Sequence, residues 1–183
     1  MRIISGIHKG RKLFPPKNLQ VRPTTSRSKE ALFNILNSKY EIGSFKVLDL
    51  FAGTGSISLE FASRGATMVY AVDKNKRCIK YIDETAMKLN LNINTIKNDA
   101  YKFIEKCNLN FDLIFADPPY EFEEHNYDQL IITVFKKNIL NKDGALIIEH
   151  DNFKFFENYN EFNFSRKYGS NIFSFFKNKK AGL

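Results

Sequence analysis

Asp117-Pro118-Pro119-Tyr120 places an acid, a rigid bend and an aromatic ring at one point of the chain. The run before it, Phe111-Asp112-Leu113-Ile114-Phe115-Ala116, is short and mostly apolar, so it reads as a buried strand. Two prolines stop that strand. The tetrapeptide then stands at a carboxyl end, the edge where open α/β sheets bind ligands. The Asp117 carboxylate and the Pro118 carbonyl can both accept hydrogen bonds from a planar amine. Pro118 has no N–H to mispair, and Pro118-Pro119 fix the backbone that carries the acceptors. Tyr120 offers a ring for a base, a stack worth about 1–3 kcal/mol. Methyl transfer to an exocyclic amine needs this set. The amine's lone pair is delocalised into its ring, so alignment and acceptors matter more than a strong base. A target inside a duplex or folded RNA must first swing out of its stack. The plain alternative is a strand ended by a proline turn with an incidental aromatic.

A second group lies upstream. Asp49 ends the apolar strand 46–50, and Phe51-Ala52-Gly53-Thr54-Gly55 leads from it into a helix. Gly53-x-Gly55 allows close approach of a ligand to the backbone. A dinucleotide fingerprint asks for a third glycine at position 58, where Ser58 stands. A carboxylate at Asp49 repels a pyrophosphate and attracts a cation. S-adenosyl-L-methionine carries an ammonium and a sulfonium, and Asp49 beside open amides suits its amino-acid end. Asp49 could also simply cap the glycine turn, and the two roles can coexist. Asp73 ends the strand 68–73, where a ribose-binding acid belongs in such folds; the alternative is a helix N-cap. Asp99 follows the strand 93–97 and can accept from an adenine amino group, with the Ala100 N–H donating to the ring.

The elements that must hold these residues alternate. Strands are expected at 46–50, 68–73, 93–97, 111–116 and 145–149. Helices are expected from the glycine loop to Arg64-Gly65, and over 75–90, 101–107 and 127–139. Two further strands, 162–168 and 172–177, are joined by a tight Gly169-Ser170 turn and must be antiparallel. The predicted core is a mostly parallel α/β sheet of seven strands with helices on both faces and a terminal antiparallel hairpin. Ahead of it, residues 2–14 read as two short strands with Gly6 and Gly10 at the turn. Pro23 forces extension, Thr25 or Ser26 can cap a helix, and that helix covers about 27–38. The expected division is a basic appendage at 1–43 and a catalytic domain at 44–183.

Charge separates the two parts. The chain has 183 residues and a formal charge of +8. Residues 1–40 hold nine Lys/Arg and one acid, Glu30, and the remaining nineteen of each sign cancel. A basic arm of this kind is the electrostatic footprint of nucleic-acid binding. Arg2, Lys9, Arg11, Lys12, Arg22 and Arg27 are its candidate phosphate contacts. No run approaches the ~20 apolar residues of a membrane helix, and the N-terminus lacks the apolar stretch of a secretory signal. Cys78 and Cys107 form no C-x-x-C pair and are expected as ordinary thiols in the cytoplasm. His8, His125 and His150 lack ligand spacing, so no metal is expected. Glu121, Glu123, Glu124 and His125 follow the tetrapeptide as a polar loop.

Asp49-Leu-Phe-Ala-Gly-Thr-Gly55 resembles the cofactor loop of Rossmann-like class I S-adenosylmethionine-dependent methyltransferases. Asp117-Pro-Pro-Tyr120 resembles the (Asp/Asn)-Pro-Pro-(Tyr/Phe) box of methyltransferases that act on the amines of bases. Met1-Arg-Ile-Ile-Ser-Gly6, Lys9-Gly-Arg-Lys12 and Arg22-Pro-Thr-Thr25 through Glu30-Ala-Leu-Phe-Asn-Ile-Leu36 are similar to the RsmD family. Ser63-Arg-Gly-Ala66, Phe111-Asp-Leu-Ile114 and Arg166-Lys-Tyr-Gly169 extend that likeness over nearly the whole chain. The resemblance implies methylation of a guanine N2 amine in 16S ribosomal RNA, by a monomer acting on rRNA or the small ribosomal subunit. It implies that Asp49, Gly53 and Gly55 hold the cofactor's amino-acid end, Asp73 its ribose, and Asp117 to Tyr120 the guanine, with Phe51 a further cofactor contact. Val21, Ser26 and Asp73 depart from the family's usual Thr, Asp and Glu. Three rivals stay open: a DNA adenine-N6 methyltransferase, a non-catalytic ribosome-assembly factor, and a dehydrogenase, the last weakened by Ser58 and Asp49.

Overall fold

The computed structural model describes residues 1–16, 19, 26–119, 121–151 and 156–178, the side chain of Ser26 excepted. Tyr120 and Arg22, and with them Val21, Pro23 and Thr25, lie outside the described residues. The strands are β1 (Lys46–Asp49), β2 (Met68–Asp73), β3 (Ile93–Lys97), β4 (Phe111–Ala116), β5 (Leu140–His150), β6 (Phe162–Tyr168) and β7 (Asn171–Lys177). The helices are α1 (Ser26–Lys39), α2 (Ser56–Ser63), α3 (Lys76–Leu89), α4 (Ala100–Lys106) and α5 (Glu124–Lys136). One sheet of seven strands runs β3-β2-β1-β4-β5-β7-β6. β1 to β5 pair in parallel, and β7 is antiparallel to both β5 and β6. Gly169 takes the left-handed conformation, φ 62°, that the tight β6–β7 turn requires.

Side chains alternate across the pleat, so each central strand feeds two cores. Val47, Leu113 and Phe115 face one side, with Phe33 of α1, Phe61 of α2 and Phe175 of β7. Leu48, Ile114 and Ala116 face the other, with Ile104 of α4 and Leu130 of α5. α1 therefore belongs to the same buried cluster as the sheet, through Leu32, Phe33 and Leu36.

Two expected starts move. α5 begins at Glu124 and not 127, because the Glu123 and Asn126 side chains form a reciprocal capping box. β5 begins at Leu140 and not Ala145. The polar Asn141-Lys142-Asp143-Gly144 stretch hides this pairing, which passes through an irregularity opposite Phe111–Leu113. The expected hairpin pairs only at its open end: Met1 and Leu13 exchange two backbone hydrogen bonds, Ile3 donates to the Arg11 carbonyl, and Arg2 faces Lys12 in an antiparallel bridge.

The reason lies in α2. Ile4 and Ser5 donate their N–H groups to the Glu60 carboxylate at 2.8 and 2.9 Å. Ile7 donates to the Ser63 carbonyl and His8 to its hydroxyl, at 2.8 and 3.1 Å. Those donors serve a helix and not a partner strand. A Cβ on Gly6 would lie 1.8 Å from the Ser63 oxygen, so only glycine permits this approach.

Candidate active site

The strand order reverses between β1 and β4. That switch point opens a crevice at the carboxyl ends of the strands. A cleft of about 380 Å³ occupies it. Gly53 of the glycine loop, Asp73 at the end of β2, Asp99 and Ala100 at the start of α4, and Asp117 after β4 all line it. Residues from four segments, expected from separate motifs, thus meet in one place.

Asp73 ties two of those segments together. Its Oδ2 accepts the Gly53 N–H at 2.8 Å and its Oδ1 accepts the Asn75 N–H at 2.7 Å. The loop is held open by a carboxylate that still has lone pairs for hydroxyl donors. Asp73 is not the cap of α3; Asn75 is, accepting from the Arg77 N–H at 2.9 Å. Asp99 caps α4 with Oδ1, which accepts from Tyr101 and Lys102. Pro118 is buried and Pro119 exposed, and both line the cleft. Among the described residues the Pro118 carbonyl accepts no hydrogen bond, while the Pro119 carbonyl accepts the Phe122 N–H at 3.0 Å.

Two expected cofactor contacts are placed differently. Gly55 points away from the cleft: it has φ 74°, and a Cβ there would lie 2.7 Å from Ile82 of α3. Glycine there allows the loop to pack closely on α3. Asp49 lies beneath the loop, 1% exposed, and does not line the cleft. Its Oδ2 accepts the Ser58 hydroxyl at 2.6 Å. Burial raises the Asp49 carboxyl to about 7, the Ser58 bond opposes that rise, and the Asp117 and Asp73 charges add to it. Ser58, the residue that breaks the dinucleotide fingerprint, is thus the donor that supports Asp49.

An aromatic wall went unread in the sequence. Phe51 meets Phe122 edge-on at 5.4 Å, and Tyr101 stacks on Phe122 at 6.0 Å and 14°. The Tyr101 hydroxyl donates to the Asn126 carbonyl at 2.7 Å, which fixes the ring on α5. Only Phe51 was a candidate; Tyr101, directly after Asp99-Ala100, and Phe122, close behind the tetrapeptide, were the available signals. Lys74 and Glu121 also line the cleft, both exposed, whereas Glu123 is spent on capping α5. Four acids in the wall and a fifth beneath it, against one lysine, make this a site for a ligand with positive charge. The flat aromatic side suits a purine.

The sequence pattern of the family described as "Conserved hypothetical protein 95" matches residues 1–177. The chain belongs to that family. Ribosomal RNA small subunit methyltransferase D of Buchnera aphidicola is 37% identical over 151 residues, covering 81% of this chain and 77% of that protein. The protein of the same name from Haemophilus influenzae is 33% identical over 159 residues, covering 80% and 76%. The solved structure of a hypothetical protein from Thermus thermophilus superposes with a TM-score of 0.81 at 24% identity, covering 97% of this chain and 99% of that one. The fold is the Rossmann-like α/β fold of class I methyltransferases.

The exposed cations of the family's N-terminal block lie outside the cleft. Arg2, Lys9, Arg11, Lys12 and Arg27 are all at the surface. Lys29 is not. It is buried, 3.3 Å from Glu60, and donates to the Arg2 carbonyl at 2.8 Å. One of the nine basic residues that define the arm is therefore an internal strut. No helix among the described residues is long and apolar enough to cross a membrane.

Proposed function

We propose that the protein transfers the methyl group of S-adenosyl-L-methionine to the N2 amine of a guanine in small-subunit (16S) ribosomal RNA, acting as a monomer in the cytoplasm. The observation that carries this reading is the meeting of Gly53, Asp73 and Asp117-Pro118-Pro119 around one cleft at the switch point. The relatives' names, the acidic lining and the basic arm support it.

The cofactor supplies an activated methyl on a sulfonium. Gly53 and its neighbouring amides receive the carboxylate end, Asp73 the ribose hydroxyls, and Asp99 and Ala100 the adenine edge, with Tyr101 and Phe122 along its face. Asp49 acts from below as a buried counter-charge. Asp117 and the Pro118 carbonyl accept the two N–H groups of the target amine and aim its nitrogen at the methyl. With the cofactor bound, its sulfonium would supply the methyl and depart as a neutral sulfide, and the amine held by Asp117 and Pro118 would give up one proton. Asp117 is placed to accept it late, when the nitrogen has become acidic. Tyr120 stacks on the guanine. Arg2, Lys9, Arg11, Lys12, Arg22 and Arg27 grip phosphates around the target, so residues 1–43 serve as the RNA-binding part.

The test is incubation with labelled cofactor and four acceptors: small subunits, deproteinised rRNA, DNA and tRNA. Label is expected in rRNA or small subunits, at guanine N2 after nucleoside digestion. Label confined to DNA overturns the acceptor, and none anywhere favours the assembly factor. Asp117→Ala is expected to keep cofactor affinity and lose methyl transfer by at least about a hundredfold. Normal turnover in that variant removes Asp117 from the reaction.

A further inference from the structure

Arg2 and Lys12 are bridged antiparallel neighbours. Like charges directly opposite on such a pair repel. Among the described residues neither has an ion-pair partner. Their strands are nonetheless clamped together: Met1 and Leu13 exchange two hydrogen bonds, each 2.9 Å. Ile3 and Leu13 turn inward against Leu59 and Leu89. Lys12 and Phe14, on either side of Leu13, turn outward. Phe14 is 81% exposed, although it is a large apolar ring. Pro15 follows it and keeps its backbone extended, so the ring is held in water on a stiff segment.

An anion between Arg2 and Lys12 relieves their repulsion, and a flat ring beside it covers Phe14. One nucleotide supplies both groups, a phosphate and a base joined by a sugar. We propose that Arg2, Lys12 and Phe14 form a nucleotide subsite, with the phosphate between the two cations and an unpaired base stacked on Phe14. The foot of the arm meets the glycine loop. The Met1 sulfur lies 3.7 Å from the Thr54 hydroxyl, and Thr54 follows Gly53, which lines the cleft. The stacked base must be unpaired, so the subsite requires single-stranded RNA. This subsite rests on the reading of the acceptor as RNA.

The chain contains no tryptophan. Phe14→Trp therefore installs a lone indole whose emission reports stacking. Titration with deproteinised small-subunit rRNA and with a single-stranded oligoribonucleotide is expected to quench it, and the same oligonucleotide in a duplex is not. Phe14→Ala is expected to weaken rRNA binding about tenfold with its salt dependence unchanged. Arg2→Gln with Lys12→Gln is expected to reduce the salt slope by about one. An unquenched indole in a variant that still methylates rRNA overturns the subsite alone. So does wild-type affinity in Phe14→Ala. A wild-type protein that neither binds nor methylates rRNA overturns the acceptor reading and the subsite together.

Discussion

Two buried carboxylates, Glu60 and Asp49, are treated in opposite ways. Glu60, in α2, is fully buried and surrounded by donors. It accepts from Ile4 and Ser5, and pairs with Lys29 at 3.3 Å and Arg64 at 2.8 Å. Asp49, at the end of β1, is buried to the same degree, with the hydroxyl and backbone N–H of Ser58 and two neighbouring acids. The first carboxylate is satisfied by its own chain and holds the arm on the domain. The second stays short of positive charge beneath a cleft lined by further acids. A buried ion that the protein compensates is structural; one that it leaves undersupplied anticipates a cationic ligand.

That contrast can be broken at either end. Glu60→Gln should have the largest effect. It strands the Lys29 ammonium, which burial already pulls below its ordinary value while Glu60 pushes it back up. The expected loss is about 3–5 kcal/mol in urea unfolding, and replacing Lys29 and Glu60 together by Met and Leu should recover most of it. A loss under about 1 kcal/mol would mean that the arm is held by its apolar contacts and its Ser63 hydrogen bonds, without the Glu60 charge.

Asp49→Asn comes next and has two readouts. The folded protein holds the Asp49 proton up to about pH 7, whereas the unfolded chain releases it at the ordinary value of 3.8. Wild-type stability should therefore fall as pH rises between those values, by a few kcal/mol at most, and level off above. The Asn variant should lack this fall. It should also bind S-adenosylmethionine at least about tenfold more weakly at pH 8. In the wild type, affinity should rise with pH through about 7, and calorimetry in two buffers should detect protons released on binding. A cofactor affinity flat across pH 6–8 would remove Asp49 from the site. Ser58→Ala should have the smallest effect, about 1 kcal/mol, moving the midpoint of that pH dependence upward.

The strands were readable because short apolar runs bounded by glycine and proline admit few alternatives. β2, β3, β4 and β6 begin and end where the pattern places them. The expected sheet, with its antiparallel end, follows from the connection rules. The start of α5 and the polar half of β5 were not readable. Side-chain capping set one, and pairing against Phe111 set the other. In the site, Asp73, Asp99 and Asp117 line the cleft as their motifs suggested, and Gly55 and Asp49 do not.

The N-terminal arm marks the same boundary. Its excess of cations is a property of composition, so charge alone signals a polyanion. Which cation is internal is not. Lys29 looks like its neighbours in the chain, and only the fold of α1 over α2 buries it against Glu60. Asp117-Pro118-Pro119-Tyr120 and the glycine loop likewise carry their chemistry locally, because residue type and spacing set donors, acceptors and bends. Tertiary structure decided which groups share a cleft, which carboxylate is paired with cations and which lies under the loop without one. Those outcomes depend on solvent exclusion and on partners distant in sequence, and no local pattern contains either.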